Sequence, residues 1–475
     1  MIDRQEILDF SRELGLATEI IEKDYVLGWL LAGIYNQPDL QSSWLFKGGT
    51  CLKKCFFETY RFSEDLDFTV KASDHINEEF LRNAFATVAT WVYENCGVEI
   101  PTGTISFEVY INPRGKQSVQ GKIGYSGPLQ RRGSIPRIKL DLTDDERVVL
   151  DSVPRQVHHP YSDKPDNGIQ ALCYRYEELF AEKLRALAQR LRPRDLYDVV
   201  HFFRHDEIPC DRALVVSTLK EKCAFKGLPV PTFAALRSRP ESSELEAEWS
   251  NMLTHQLPQL PAFADFFAEL PRVFDWLFGA AAKPVVPVYP VGGNIDTSWR
   301  PPATVMTWGL PAPLEIIRFA AANRLCVDLT YDGSRRLIEP YSLRRTKDGN
   351  IILHAVRHQE GQPRSYRIDR IQGAKATDIS FVPRYVIELT ATGPAPIPPT
   401  ASRSAGVVGS GTSSPRRRSS FGAPFTGPKY VIQCTVCGKR FTRHSYDTRL
   451  HAHKNKSGFD CYGRIGFLVD TKYSR

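Results

Sequence analysis

The spacing of apolar positions changes period several times along this chain. Residues 4–15 and 18–36 repeat apolar side chains every three or four positions, which predicts two helices. A short apolar stretch ends at FKGGT (46–50), and 51–60 has helical character again. Leu66, Phe68 and Val70 then alternate with polar neighbours, as do Ile138, Leu140 and Leu142. That period of two predicts half-buried strands. From about Ala171 to Leu191 the helical period returns. Mixed elements of this kind predict an α+β (α/β) domain over 1–280.

The pattern after residue 280 is different. Repeated prolines over 281–313 forbid a regular helix or central strand and predict an extended connector. Section 314–392 opens on a helical pattern. It continues as short β-rich runs, VDLTYDG, EPYSLRR, IILHAVRH, RSYRIDRI and YVIELTA, separated by Asp-Gly, Asp-Gly-Asn and Gly-Gln-Pro turn signals. A small β-barrel or strongly bent sheet is expected. Residues 393–428 are rich in Pro, Ser, Gly and Ala, which predicts a flexible linker, and 429–475 form a last section. No internal repeat is visible.

Composition adds three points. With 475 residues, 42% hydrophobic and 24% charged, the chain has room for several ordinary globular domains. It has no apolar run long enough to cross a bilayer, and MIDRQEILDFSREL lacks a signal-peptide core, so a cytoplasmic protein with no membrane partner is expected. Of ten cysteines, seven (Cys51, Cys55, Cys96, Cys173, Cys210, Cys223, Cys326) follow no framework spacing and read as packed, reduced thiols. The net charge of +8 is uneven: residues 413–475 hold 13 Lys and Arg against 3 Asp and Glu. Attraction to polyanions therefore lies in the tail.

The candidate chemistry centres on RFSEDLDFTV (61–70). On a strand, Asp65 and Asp67 point to one face while Leu66 and Phe68 face a core. Neighbouring carboxylates raise each other's pKa, and a divalent cation resolves that conflict. RIKLDLT (137–143) repeats the logic and offers Asp141 as a third carboxylate. Three carboxylates suit Mg2+ or Mn2+ and phosphoryl transfer. Upstream, Gly48 and Gly49 let backbone approach phosphate oxygens, with Lys47 supplying charge and Thr50 a hydroxyl. In ELFAEKLRAL (178–187), Lys183 sits in an apolar stripe and needs an anionic partner, a role open to a triphosphate. Arg194, Asp195 and Asp198 follow Pro193, a helix-start signal. Each element also has a plain structural reading: a solvated acidic face, a snorkelling lysine, a helix-cap ion pair. Their order along the chain favours one shared site.

These stretches, with IIEKDYVLGWLL (20–31), FKGGTCLKKCF (46–56) and PRDLYDVV (193–200), resemble the AbiEii/AbiGii toxin family of DNA polymerase β-like nucleotidyltransferases. The resemblance implies a polymerase β-like domain with a helical C-terminal part. It implies Asp65, Asp67 and Asp141 as metal carboxylates and catalytic residues, joined by Lys183 and Asp195. It places Lys47, Gly48, Gly49, Thr50, Ser63 and Lys183 at the nucleotide, and Arg194, Asp195 and Asp198 in a fourth motif. Many members have Ser where Thr50 stands. The implied activity is NMP transfer from an NTP to an RNA, a tRNA 3′ end among the options, or to a protein hydroxyl. The setting would be toxin–antitoxin or phage defence, with an antitoxin as partner. A second reading, from another class, is a nucleic-acid-binding regulator on an inactive scaffold.

LTYDGSRRLIEPYSLRRTKDGNIILHAV and PRSYRIDRIQGAKAT resemble a WYL domain, an Sm-like β-barrel, although Ile351, Ile352 and Leu353 replace the namesake Trp-Tyr-Leu. Arg344, Arg345, Arg364, Arg367 and Arg370 supply charge suited to nucleotide or single-strand phosphates. Cys434-x2-Cys437 with His453 and Cys461 offers a zinc set, with His451 the alternative to His453, in a tail too short to fold without a staple. Its basic surplus points to RNA or DNA.

Overall fold

The computed structural model describes residues 1–57, 59–131, 133–205, 208–279, 282–283, 286–290, 292–296, 299 and 313–389. In the tail it describes 429–434, 436–437, 439–443, 448, 450, 453–454, 460–461 and 465–472. The chain divides into two compact units, 1–400 and 401–475.

In the first unit, α1 (Arg4–Leu14) and α2 (Thr18–Tyr35) fall where the helical period predicts them. A short α3 (Pro38–Gln41) leads into β1 (Trp44–Lys47). The next stretch departs from the expected helix over 51–60. A single turn, α4 (Gly48–Cys51), widens into a π-turn over Leu52–Phe56, closed by Phe57 N–H donating to Leu52 O at 2.7 Å. π-turns of this kind concentrate at functional sites.

After β2 (Asp65–Val70), α5 (Glu78–Cys96) leads to β3 (Ile105–Ile111), β4 (Gln117–Gly124), β5 (Arg137–Thr143), β6 (Val153–Val157) and β7 (Ile169–Cys173). The seven strands form one mixed sheet in the order β3-β4-β5-β2-β1-β7-β6. β7 corrects the helix expected from Ala171. Ile169, Ala171 and Cys173 are buried while Gln170 is exposed, so a period of two persists to residue 173. The helix α6 (Tyr176–Arg190) starts only afterwards. It is followed by α7 (Pro193–Arg204), α8 (Arg212–Phe225) and five short helices: α9 (Phe233–Ser238), α10 (Ser242–Ala247), α11 (Trp249–Leu253), α12 (Phe263–Phe267) and α13 (Leu270–Phe278).

Alternation explains how the sheet presents its chemistry. Leu66, Phe68, Leu140 and Leu142 are buried with Trp44 and Phe46 in the core, whereas Asp65, Asp67 and Asp141 are only half-buried. β2 runs parallel to β5 with Asp67 beside Asp141, and antiparallel to β1 with Asp67 beside Lys47.

The same unit continues with α14 (Leu314–Ala322) and five antiparallel strands: β8 (Leu325–Tyr331), β9 (Ser334–Arg345), β10 (Ile351–Arg357), β11 (Gln362–Arg367) and β12 (Ile371–Ser380). Their order is β11-β10-β9-β8-β12, and the edge strands β11 and β12 share no ladder among the described residues. Asp332 and Gly333, both at positive φ, make the tight β8–β9 turn. Two expectations need correction. The fifth strand is 371–380 rather than YVIELTA, whose described residues 385–389 meet the sheet through an isolated bridge from Glu388 to Ser342 and the Arg344–Glu388 pair. The 281–313 connector is partly docked: Tyr289 is buried and donates its hydroxyl to Ala355 O at 3.0 Å and Arg364 O at 3.2 Å. The strand section also packs on the helical one, with Tyr197 Oη donating to Asn323 Oδ1 at 2.9 Å and Glu269 shared by Arg204 and Arg324.

The second unit contains β13 (Lys429–Cys434), β14 (Arg440–Arg443), β15 (His453–Lys454), β16 (Asp460–Cys461) and β17 (Gly466–Lys472). They form a three-stranded sheet β14-β13-β17 and a two-stranded ribbon β15-β16. Its small core includes Ile432, Cys434, Leu450 and Cys461. No helix among the described residues is long and apolar enough to cross a membrane.

Candidate active site

Three elements converge on the carboxylates. β2 and β5 present Asp65, Asp67 and Asp141 side by side. The end of β1 and the start of α4 bring the glycine turn onto them. Gly48 has φ +80°, and a Cβ there would lie 2.0 Å from Asp67 Oδ2. Only glycine fits this approach. A Cβ on Gly49 would meet the Arg61 guanidinium at 2.7 Å and Ser63 Oγ at 3.0 Å, so Ser63 borders the same turn. Thr50 departs from the expected role. Its hydroxyl donates to the Asp65 carbonyl at 2.5 Å, tying the turn to β2 instead of standing free for phosphate.

The electrostatics suit a divalent cation. Burial, the neighbouring Asp141 charge and Asp65 push the Asp67 carboxyl up to about 6, against the pull of Lys47 and Lys183. Burial and Asp65 also raise Asp141. An oxygen-only cluster in which Asp67 and Asp141 resist ionising suits Mg2+ or Mn2+. Lys47 Nζ lies 3.5 Å from Glu182 and 3.8 Å from Glu146.

Lys183 finds its anionic partner inside the protein: its Nζ is 2.7 Å from Asp198 Oδ2 and 3.7 Å from Asp195 Oδ1. Asp198 is fully buried and also accepts from Arg61 Nε at 2.7 Å and Nη2 at 2.8 Å, and from Tyr60. Burial opposes ionisation, but Arg61 and Lys183 hold the Asp198 carboxyl well below the usual range. Asp195 is gripped by Arg190 through Nε at 2.6 Å and Nη2 at 2.9 Å. Arg194 is half-buried and feels the charges of Asp65 and Glu64, and its Nε has no hydrogen-bond partner among the described residues. Sequence reasoning missed Arg61, Tyr60 and Arg190. Arg61 opens RFSEDLDF, but nothing in its spacing points to a partner 137 positions away.

Four of the five arginines of the strand section are paired with carboxylates. Arg344 pairs with Glu388, Arg345 with Asp296 at 2.6 Å, Arg367 with Asp369 at 2.7 Å and Arg370 with Asp332 at 3.7 Å. Arg364 contacts Gln362 and its neighbour's carbonyl, with no carboxylate partner among the described residues.

In the tail, Cys434, Cys437, His453 and Cys461 bring their ligand atoms within 4.8 Å of one another. Cys434 Sγ is 3.8 Å from Cys461 Sγ, and Cys437 Sγ is 3.3 Å from His453 Nε2. Backbone N–H groups of Cys437 and Val436 pull the Cys434 thiol down to about 6, and Cys437 is lowered too. Three thiols, two of them inclined to ionise, with one imidazole, fit Zn2+. The alternative, His451, lies outside the described residues.

With this geometry established, comparison places the chain. Residues 29–280 match the family model "Nucleotidyl transferase AbiEii toxin, Type IV TA system", and residues 313–376 match the WYL domain. Among solved structures, MenT4, a nucleotidyltransferase toxin from Mycobacterium tuberculosis H37Rv, is similar at 19% identity, covering 59% of this chain and 91% of that chain, with a TM-score of 0.39. JHP933 from Helicobacter pylori is similar at 16% identity, covering 55% and 93%, with a TM-score of 0.34. No curated protein matches the chain.

Proposed function

The chain belongs to the AbiEii nucleotidyltransferase toxin family and carries a WYL domain, and from that premise we propose that it transfers an NMP from an NTP to a hydroxyl of RNA or protein. The observation that carries this reading is the register that sets Asp67 beside Asp141, under a Gly48 turn with room for no side chain.

Asp65, Asp67 and Asp141 would hold the divalent cation. When bound, Mg2+ or Mn2+ neutralises triphosphate charge and favours the ionised acceptor hydroxyl. The acceptor oxygen attacks the α-phosphorus, the bond to the bridging oxygen breaks, and pyrophosphate leaves. The acceptor's proton passes to the carboxylate cluster. Backbone N–H groups at Gly48–Gly49, with Ser63 and Lys47 alongside, orient the phosphates. Lys183 contributes charge, while Asp198 and Asp195 fix its position and Arg61 and Arg190 fix theirs. Catalysis here rests on positioning and preorganised charge.

The working division is a transferase over 1–280, a linker over 281–313, a WYL-like section over 314–392, a second linker over 393–428 and a zinc-holding basic tail over 429–475. The tail's excess of Lys and Arg supports contact with RNA or DNA. A type IV family also points to an antitoxin partner and a toxin–antitoxin or phage-defence role. The reading as a regulator on an inactive scaffold is weaker, because the three carboxylates, the glycine turn and Lys183 are all present.

The test incubates the chain with Mg2+, total RNA or cell extract and each labelled NTP separately. Label should move to an acceptor with one preferred nucleotide, and Asp65→Ala should abolish transfer. A folded Asp65→Ala protein with undiminished transfer refutes the assignment. Tight RNA or DNA binding with no transfer by the native chain favours the regulator.

A further inference from the structure

Three of the seven cysteines that follow no spacing rule do not stay scattered. Cys51 ends α4, Cys55 lies in the π-turn and Cys173 ends β7. All three are fully buried, and their sulfurs lie within 4.8 Å of one another. The π-turn makes this possible. It widens the helix between Cys51 and Cys55, and the parallel pairing of Phe46 with Cys173 brings the third thiol alongside.

Isolated buried cysteines are ordinary core residues. A trio in mutual contact is different, because ionised sulfurs need compensation. Two cations are close. Arg155 donates from Nε to the Cys55 carbonyl at 3.1 Å, and Lys54 extends from the residue before Cys55, paired with Asp24 at 2.7 Å. Burial opposes ionisation of Cys55, yet the other two thiols and these cations lower its pKa, while Cys51 and Cys173 are raised.

We propose that Cys51, Cys55 and Cys173 form a binding site for a single soft monovalent d10 cation, Cu(I). With metal–sulfur bonds of about 2.3 Å, sulfurs of a planar trio stand about 4 Å apart, which lies inside the 4.8 Å limit that holds for all three pairs here. Zinc prefers four ligands, and among the described residues no further His, Cys, Asp or Glu joins this cluster. Thiolate sulfur in a three-fold set selects Cu(I). Charge balances as follows: Cu(I) binds two thiolates and one thiol, two protons leave, and the net negative site is offset by Arg155. Because Cys51 directly follows Thr50, occupancy anchors the segment that carries the proposed phosphate turn. The inference stands on the thiol geometry and not on the proposed transferase chemistry.

The experiment uses the full chain with Cys434, Cys437 and Cys461 all changed to Ser, which removes the tail's thiols. Cu(I) is titrated anaerobically under reducing conditions in competition with a chromogenic Cu(I) chelator. One tightly held Cu(I) per chain is expected, lost on adding either Cys51→Ser or Cys173→Ser. X-ray absorption on the loaded tail variant should count three sulfur neighbours, a result that needs no further folded variant. No tight Cu(I), retention in both additional variants, or two sulfur neighbours would each overturn the proposal. NTP transfer assayed in parallel on the unaltered, metal-free chain separates this outcome from failure of the transferase reading.

Discussion

Two groups of aspartates in the same domain behave in opposite ways. Asp65, Asp67 and Asp141 face one another, and burial with mutual repulsion raises Asp67 to about 6. Asp195 and Asp198 are more deeply buried, yet Asp198 is held ionised by Arg61 and Lys183, and Asp195 is clasped by Arg190. The side chains are the same, so the difference lies in their partners. A buried acid already paired with protein cations is structural support. A buried acid whose neighbouring acids outweigh its lysines is suited to a cation supplied from outside. The comparison breaks first at Asp67. Asp67→Asn should lower transfer by about 10²–10³-fold or more, while the melting temperature in EDTA should stay level or rise because repulsion is relieved. Lost activity with an equal loss of fold would place Asp67 in the structural group.

The reverse substitution tests the other half. Asp198→Asn leaves Arg61 and Lys183 as buried charges without their main partner. Breaking such a pair costs about 3–5 kcal/mol, which denaturant melts would read directly. A loss below about 1 kcal/mol would show that the network is replaceable.

The two groups should also respond oppositely to pH. Asp67's folded pKa lies above the unfolded value of about 3.9, so its proton favours the folded state. In EDTA its contribution is greatest below about pH 4 and falls as pH rises towards 6. Asp198's folded pKa lies below the unfolded value, so its contribution is full at higher pH and is lost as pH drops below about 4. Melting temperature against pH, with and without Mg2+, separates them: Mg2+ should flatten the limb between 4 and 6 and leave the acid limb in place. An acid limb removed by Asp67→Asn instead of Asp198→Asn would reverse the assignment.

Much of this contrast was legible in the sequence, but not its partners. Alternation at 66–70 and 138–142 fixes which residues face away from the core, so the carboxylate trio could be read directly. Which strand pairs with which depends on packing between segments some seventy residues apart, and a local period carries no such information. The same limit hid Asp198 as the partner of Lys183 and hid the meeting of Cys173 with Cys51 and Cys55. Strand 371–380 was missed because IQGAKATDIS is polar and small-residued, as suits an edge, whereas YVIELTA has strand composition but forms an isolated bridge instead of a ladder over its described residues. The Cys-x2-Cys pattern was easier: its ligands sit close in sequence and tetrahedral chemistry limits their spacing.

The smallest expected effect carries the comparison over to cations. Arg367 is paired with Asp369 on the surface of the strand section, whereas Arg364, three residues earlier, has no carboxylate partner among the described residues and meets Gln362 and a carbonyl. A guanidinium already committed to a carboxylate has less to offer a phosphate, since the new contact must displace the old one. We therefore expect Arg364→Ala to weaken binding of single-stranded RNA by about 3–10-fold and to reduce the slope of log affinity against log salt by about 1, the signature of one lost phosphate contact. Arg367→Ala should change affinity less than about 2-fold, because an exposed ion pair contributes at most about 1 kcal/mol. Fluorescence anisotropy across a salt series measures both quantities. Equal losses for the two variants would mean that local pairing does not decide which arginines meet nucleic acid, and the rule drawn from the aspartates would then hold only for buried groups.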